Sequence, residues 1–273
     1  MIQLDLESIW SVTRGAGIRV AVLDTGVATS PGLPANRVRS IRADGGVPNV
    51  TADTHGTACC SLVASSEVDA EGAAPEAELL SIQIATASNA ITASQVVRGL
   101  ERALAEGCHV ISCSFTLQSW ADEKDAVATL VRQAHLAGIP VLAAAGNVAN
   151  QQSRFPEEIQ HAIVVSAHDT SGSPMHVRFN EWTDVFCLGD ELTVVDGDGS
   201  TQTWSGQTSG ATALTAGVAA LALASVADAK RTKVGIALEA LLKNSGTRFT
   251  LPGGGSAWRL HAQNLVKAAR KIS

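Results

Sequence analysis

Short, nearly unbroken apolar runs alternate with helix-length periodic segments along most of the chain. Ile18–Leu23, Leu79–Ile84, His109–Phe115, Pro140–Ala145 and Ala162–Ala167 read as buried strands. His55–Ser65, Thr92–Ala105 and Lys124–Ala137 read as helices between them. Thr92 and Gln95 have the spacing of a capping box, and Gly138 supplies a helix stop. A turn region rich in Gly and Pro runs from the first strand through Ala35. Later come the short segments Val185–Leu188, Leu192–Val195 and Thr201–Trp204. The last two flank Asp196-Gly197-Asp198-Gly199, a hairpin signal. A helix of small residues starts at Ser209, and a final helix lies near Lys233–Lys243. Strands without polar alternation, joined by helices, imply an α/β fold of three αβα layers around a mainly parallel sheet. No repeat, linker or low-complexity stretch interrupts it, so residues 1–273 are expected to form one domain.

Composition agrees with buried elements. Apolar residues make up 45% and charged ones 17%, below the roughly 25% charged of soluble domains. The net charge of −6 and the lack of Lys/Arg runs argue against nucleic-acid or anionic-membrane partners. Between Asp198 and Asp228 there is no charge, and Ala211–Ala227 approaches the length of a membrane span. Its Ala, Gly, Thr and Ser transfer weakly to lipid, so a buried central helix is expected instead. The five cysteines include the neighbours Cys59 and Cys60 and form no CxxC or Cys/His ladder. They read as free thiols of a reducing compartment, and Met1–Trp10 lacks the apolar run of a signal peptide. The expectation is a cytoplasmic protein with no metal and no cofactor.

Three polar residues fall where ligands gather in such sheets, at strand carboxyl ends and helix starts. Asp24 ends the first strand, His55 opens a helix in Thr54-His55-Gly56-Thr57, and Ser209 opens the small-residue helix. Singly each has a plainer reading: a turn cap or metal ligand, a structural histidine, an N-cap. Asn147, closing Val141–Gly146, reads alone as a turn residue. Together they have the types that nucleophilic catalysis requires. A serine hydroxyl needs a base, the base needs an orienting carboxylate, and the oxyanion needs donors.

At this point the chain resembles the subtilisin family, on five blocks in order. These are Val20–Gly26, His55-Gly56-Thr57, Gly72–Pro75, Ala143–Asn147, and Thr208-Ser209 with Ala216–Leu221. The resemblance runs from about Trp10 to Ala269. It implies a subtilisin-like fold and a serine endopeptidase acting on a peptide or protein substrate. Ser209 would attack, His55 would move the proton, Asp24 would orient His55, and Asn147 would join the Ser209 N–H around the oxyanion. It further implies substrate pairing along Cys113-Ser114-Phe115-Thr116 and a pocket floored by Ala144, Ala145 and Gly146. Phe155-Pro156 matches a position where the family often has a cis bond.

Departures from the family pattern are also readable. Ala58 stands where a second His is usual, Cys59-Cys60-Ser61 where small residues are usual, and Gln207 where a Gly precedes the nucleophile. Ala213-Leu214 replaces a Pro-His pair, which predicts a straighter helix. Thr116 replaces a Gly past which the substrate backbone runs, predicting a narrow cleft and selective cleavage. Asp24 lies too near Met1 for a long prodomain between them, which suggests the compact intracellular type. Some of that type remove leader peptides from ribosomal products. Glu67, Asp69 and Glu71 read as a solvated loop, and the histidines other than His55 as structural. Trp120 is a candidate substrate contact. Two other readings share the fold: a catalytically silent binding protein, kept open by the altered surroundings of His55 and Ser209, and a transpeptidase. The latter would need a water-excluding lid, and no insertion of that size is present.

Overall fold

Alternation along the first strand decides both faces of the sheet. Val20 and Val22 enter one apolar core, while Ala21 and Leu23 enter the other. A strand apolar on both sides must be covered on both sides. The computed structural model describes residues 4–48, 54–85, 90–119, 122–149, 154–251 and 255–272.

In chain order, α1 (Leu6–Trp10) precedes β1 (Arg19–Asp24), β2 (Val38–Arg42), α2 (Thr54–Ala64) and β3 (Glu78–Gln83). Next come α3 (Ala93–Ala105), β4 (Val110–Cys113), α4 (Lys124–Leu136), β5 (Val141–Ala144) and β6 (Ala162–His168). Then β7 (Val185–Leu188), the hairpin β8 (Leu192–Val195) and β9 (Thr201–Trp204), and α5 (Gln207–Ala224) follow. The chain ends with α6 (Asp228–Ser245), β10 (Thr247–Thr250), β11 (Ser256–Arg259) and α7 (Ala262–Ala269).

The described residues form a nine-stranded sheet ordered β10-β11-β7-β6-β5-β4-β1-β3-β2. Every pairing is parallel except β10 with β11. One face is covered by α2 and α5, the other by α3 and α4. The chain leaves β1 toward one sheet edge and β4 toward the other. Their shared carboxyl end is therefore the topological switch point, where a crevice opens.

α5 explains its own composition. Every residue from Thr208 to Leu223 is buried, because the helix is surrounded by sheet on one side and α2, α6 and α7 on the others. Small residues permit that close approach, and each fully buried leucine, such as Leu214 or Leu221, contributes roughly 1.5–3 kcal/mol. Thr212 and Thr215 satisfy their hydroxyls by donating to the Thr208 and Ala211 carbonyls at 2.7 Å. Among the described residues no helix is long and apolar enough to cross a membrane.

Several expectations shift. α5 begins at Gln207, with Gly206 at the cap, so Ser209 lies inside the first turn rather than at the N-cap. The helix near Lys233 begins at Asp228, and α7 follows it as the last helix. The capping box at Thr92 and Gln95 is formed in both directions. The Phe155-Pro156 peptide is cis. Cys59, Cys60, Cys108, Cys113 and Cys187 are buried free thiols.

Candidate active site

β1 delivers Asp24 to the switch point with 3% of its surface exposed. Its Oδ1 accepts the Thr25 N–H at 2.7 Å, the Thr25 hydroxyl at 3.2 Å, and meets His55 Nδ1 at 2.8 Å. Oδ2 is buried and has no hydrogen-bond partner among the described residues. His55 is held there by the start of α2. A Cβ on Gly56 would lie 2.1 Å from the Gly26 carbonyl oxygen, so only glycine lets the helix approach the β1 loop this closely. The Gly56 N–H donates to Thr25 Oγ1 at 3.1 Å, which ties the same loop to the helix.

The Asp24 carboxylate raises His55 well above the ordinary imidazole range, with the Cys59 thiol the next contributor and desolvation opposing. Burial drives the Cys59 thiol itself upward, so it is neutral at neutral pH and adds little charge. The rise therefore stands on Asp24. The Asp24 charge thus favours the protonated imidazole, and rising pH favours the form with a free lone pair.

Ser209 sits where backbone donors are in surplus, because the first N–H groups of a helix lack internal partners. Here the neighbouring ones are spoken for. Gln207 N–H donates to the Gly189 carbonyl at 2.7 Å, Thr208 N–H to Asn147 Oδ1 at 3.1 Å, and Gly210 N–H to the Gly206 carbonyl at 2.9 Å. The Ser209 N–H has no partner among the described residues. Asn147 is exposed, and its Oδ1 also accepts the Thr208 hydroxyl at 2.6 Å. With Oδ1 pinned to the helix, the Asn147 Nδ2 group is the arm left to donate. Two donors thus stand open at one helix N-terminus, where the dipole favours negative charge.

The Ser209 hydroxyl donates to the Ser114 carbonyl at 3.1 Å, and the Ser114 hydroxyl returns a bond to the Ser209 carbonyl at 3.1 Å. Cys59 bridges toward the base: its Sγ is 4.0 Å from His55 Nδ1, and it also bonds the Ser114 side chain. Trp204 packs edge-on to His55 with ring centroids 5.7 Å apart, and its ring lies against Gly206 and Gly210 at the start of α5. Through Cys59 and Ser114 on one side and Trp204 on the other, the surroundings of His55 reach the first turn of α5, where Ser209 lies. Asp24, His55 and Cys59 are the one group among the described residues whose ligand atoms, all within 4.8 Å, could share a metal ion. Asp24 and His55 are bonded directly to each other, as a proton-handling pair would be.

Of the expected substrate segments, Ser114 and Phe115 are buried, and Phe115 stacks on Phe155 at 5.5 Å. What the segment presents is backbone: the N–H and C=O groups of Phe115 and Thr116 have no partner among the described residues. Ala144 and Ala145 are 2% and 1% exposed, so Gly146 is the accessible part of the expected pocket floor. Trp120 lies outside the described residues.

The parts played by Thr208, Cys59 and Trp204 are not readable from the sequence, because each comes from contact between distant segments. Thr208 holds Asn147, Cys59 lies beside His55, and Trp204 of β9 packs on His55 and the start of α5. Gln207 keeps a left-handed backbone, φ 48°, where glycine would be at ease. That conformation costs a side-chain-bearing residue roughly 1–2 kcal/mol, held here by the bond to Gly189. Five of the remaining histidines are engaged elsewhere: His109 accepts the Arg19 N–H, His168 bonds the Asp169 carbonyl, His261 caps α7, and His135 and His161 stack on each other. Glu71 pairs with Arg14 at 2.5 Å.

A family model described as the subtilase family matches residues 15–257. M-protease of Shouchella clausii (strain KSM-K16) is 30% identical over 210 residues, 76% of this chain and 54% of that protein. The chain thus spans about half the length of that relative. Subtilisin Savinase of Lederbergia lenta is 30% identical over 210 residues, 76% of each chain. The solved structure of the prenylagaramide maturation protease PagA superposes with a TM-score of 0.82 over 98% of this chain and 99% of that one, at 23% identity. That last likeness is one of fold.

Proposed function

The chain belongs to the subtilase family, and on that premise we propose that it is a serine endopeptidase acting through Asp24, His55, Ser209 and Asn147. The observation that carries the reading is the accounting at the first turn of α5. The Ser209 N–H is left open beside an Asn147 amide whose oxygen is tied down. Donors fixed in advance at the place where charge develops stabilise a transition state without reorganisation.

In this mechanism His55 donates its Nδ1–H to Asp24 Oδ1, which leaves the Nε2 lone pair as base. The Ser209 hydroxyl turns from the Ser114 carbonyl toward Nε2 as substrate enters. Its oxygen bonds to the scissile carbonyl carbon while its proton passes to Nε2. The carbonyl oxygen takes the negative charge and is held by the Ser209 N–H and Asn147 Nδ2. His55 then gives the proton to the departing amine, and a water molecule repeats the sequence to free the acyl group. The unpaired Phe115 and Thr116 backbone supports the substrate as an added strand.

The Thr116 side chain favours selective cleavage, suited to maturing one kind of peptide precursor. The five buried, unpaired thiols favour a reducing, cytoplasmic setting.

Labelling by an alkyl fluorophosphonate probe tests the assignment. The unmodified protein is expected to be labelled, and Ser209→Ala and His55→Ala to lose the label. No labelling of the unmodified protein would overturn it and bring the silent-binder reading forward. Asn147→Ala is expected to lower kcat about 100- to 1000-fold with KM nearly unchanged, since it removes a donor used in the transition state. A change confined to KM would count against the role.

A further inference from the structure

The nucleophile and the two oxyanion donors fix where the scissile carbonyl sits, and hence where the side chain of the acyl residue must go. It branches one bond from the carbon that Ser209 attacks. The walls beside that point are the extensions of neighbouring strands β4 and β5. Ser114–Thr116 is joined to Ser209 through the Ser114 carbonyl, and Gly146 is joined to Thr208 by its N–H at 3.3 Å.

The cleft between these walls is closed at its base. A carbon placed as Cβ on Gly146 would lie 3.3 Å from Thr116 Cγ2 and 3.8 Å from Arg178 Cδ. Carbon atoms in contact prefer about 3.5–4.0 Å, so one further carbon over Gly146 would press on the Thr116 methyl, which would have to give by a few tenths of an ångström. Neither wall is free to move aside. Leu117 and Phe155 exchange backbone bonds at 3.2 Å, and Phe115 stacks on the fully buried Phe155. On the other side the Arg178 N–H donates to the Gly146 carbonyl at 3.0 Å. The Arg178 guanidinium is locked on Glu157 at 2.5 and 2.8 Å, and Asn180 also donates to Glu157. That pairing sets the Arg178 charge against the Glu157 charge beside the cleft.

We infer that Thr116 is a specificity-determining residue that restricts the acyl side of the cleavage site to the smallest side chains, glycine, alanine and serine. The inference rests on the assignment of Ser209 as nucleophile.

The test uses two peptidyl diphenyl phosphonates that differ only in carrying Ala or Phe at the acyl position. The alkyl fluorophosphonate, which has no such side chain, serves beside them. On the unmodified protein the Ala probe is expected to label at least about 100-fold faster than the Phe probe, as a rigid site excludes added carbons. Thr116→Gly should bring the two within about 10-fold of each other, and Thr116→Val, which keeps a methyl there, should retain the gap. A thermal melt and a far-ultraviolet circular dichroism spectrum matching those of the unmodified protein show that the Gly variant has kept its fold. Thr116→Ser, which removes only the methyl, gives the same readout by a gentler change. Equal Ala and Phe rates on an unmodified protein that the alkyl probe labels would overturn the inference alone. So would an Ala/Phe ratio that Thr116→Gly leaves in place. Failure of the alkyl probe on the unmodified protein would take away the Ser209 assignment and this inference with it.

Discussion

Replacing Ser209 with Ala is expected to lower kcat/KM by on the order of 10⁶, about 8 kcal/mol of transition-state stabilisation. His55→Ala should cost nearly as much, and the double variant no more than either alone. The reason is that hydroxyl and imidazole act as one unit. Without the base the Ser209 hydroxyl stays a neutral alcohol bonded to the Ser114 carbonyl, and without the hydroxyl the base has no proton to take. Residual turnover on the order of 10³–10⁴ over the uncatalysed reaction should remain, because the Ser209 N–H, the Asn147 amide and the strand-like cleft survive both changes. Multiplying losses in the double variant would mean that the two residues act separately. A Ser209→Ala variant retaining more than a hundredth of the activity would place the nucleophile elsewhere.

The parts of this fold legible in the sequence are those whose burial is extreme. β1, β3, β4, β5 and β6 are buried along nearly their whole length, so their apolar runs could only be central strands. α5 announced itself by having neither charge nor bulk. β2 was missed because Arg39 and Arg42 interrupt it, which is what an edge strand tolerates and a central strand does not. β10 and β11 escaped for a similar reason at the opposite edge, where Arg248 and Arg259 are carried. α7 has the stripe Ala262, Leu265, Val266 and Ala269 that a helix needs, but it is short and was passed over.

The site divides along the same line. Residues that end a strand or open a helix can be picked by position, as the proposed Asp24, His55, Asn147 and Ser209 can. What places them cannot be. Thr208 orients Asn147, Cys59 links His55 to Ser114, and Gln207 keeps a glycine-like backbone angle without being glycine. Each depends on contacts between segments far apart in the chain.

Asp24→Asn is expected to lower kcat/KM by about 10⁴, and to move its pH dependence. The Thr25 N–H, 2.7 Å from Oδ1, requires an acceptor at that place. The substituted amide therefore keeps its oxygen there and still receives the His55 Nδ1–H. Geometry is retained, and what disappears is the negative charge that stabilises the imidazolium formed during the reaction. In the unmodified protein the same charge raises His55, so kcat/KM should climb with pH from the neutral into the alkaline range as Nε2 is freed. In the variant the acidic limb should fall back toward the ordinary imidazole value of about 6.5. Stability gives an independent check. A histidine raised on folding stabilises fully below about 6.5 and loses that contribution as pH rises through its folded value. The unmodified protein should therefore lose part of its thermal stability across that window, and the variant should not. The amide nitrogen would also occupy the place of Oδ2, buried with no acceptor among the described residues. That lowers the variant's stability by about 1–3 kcal/mol at every pH. A variant whose acidic limb stays where it was would show that Asp24 only positions His55, and that its charge has no share in the proton transfer.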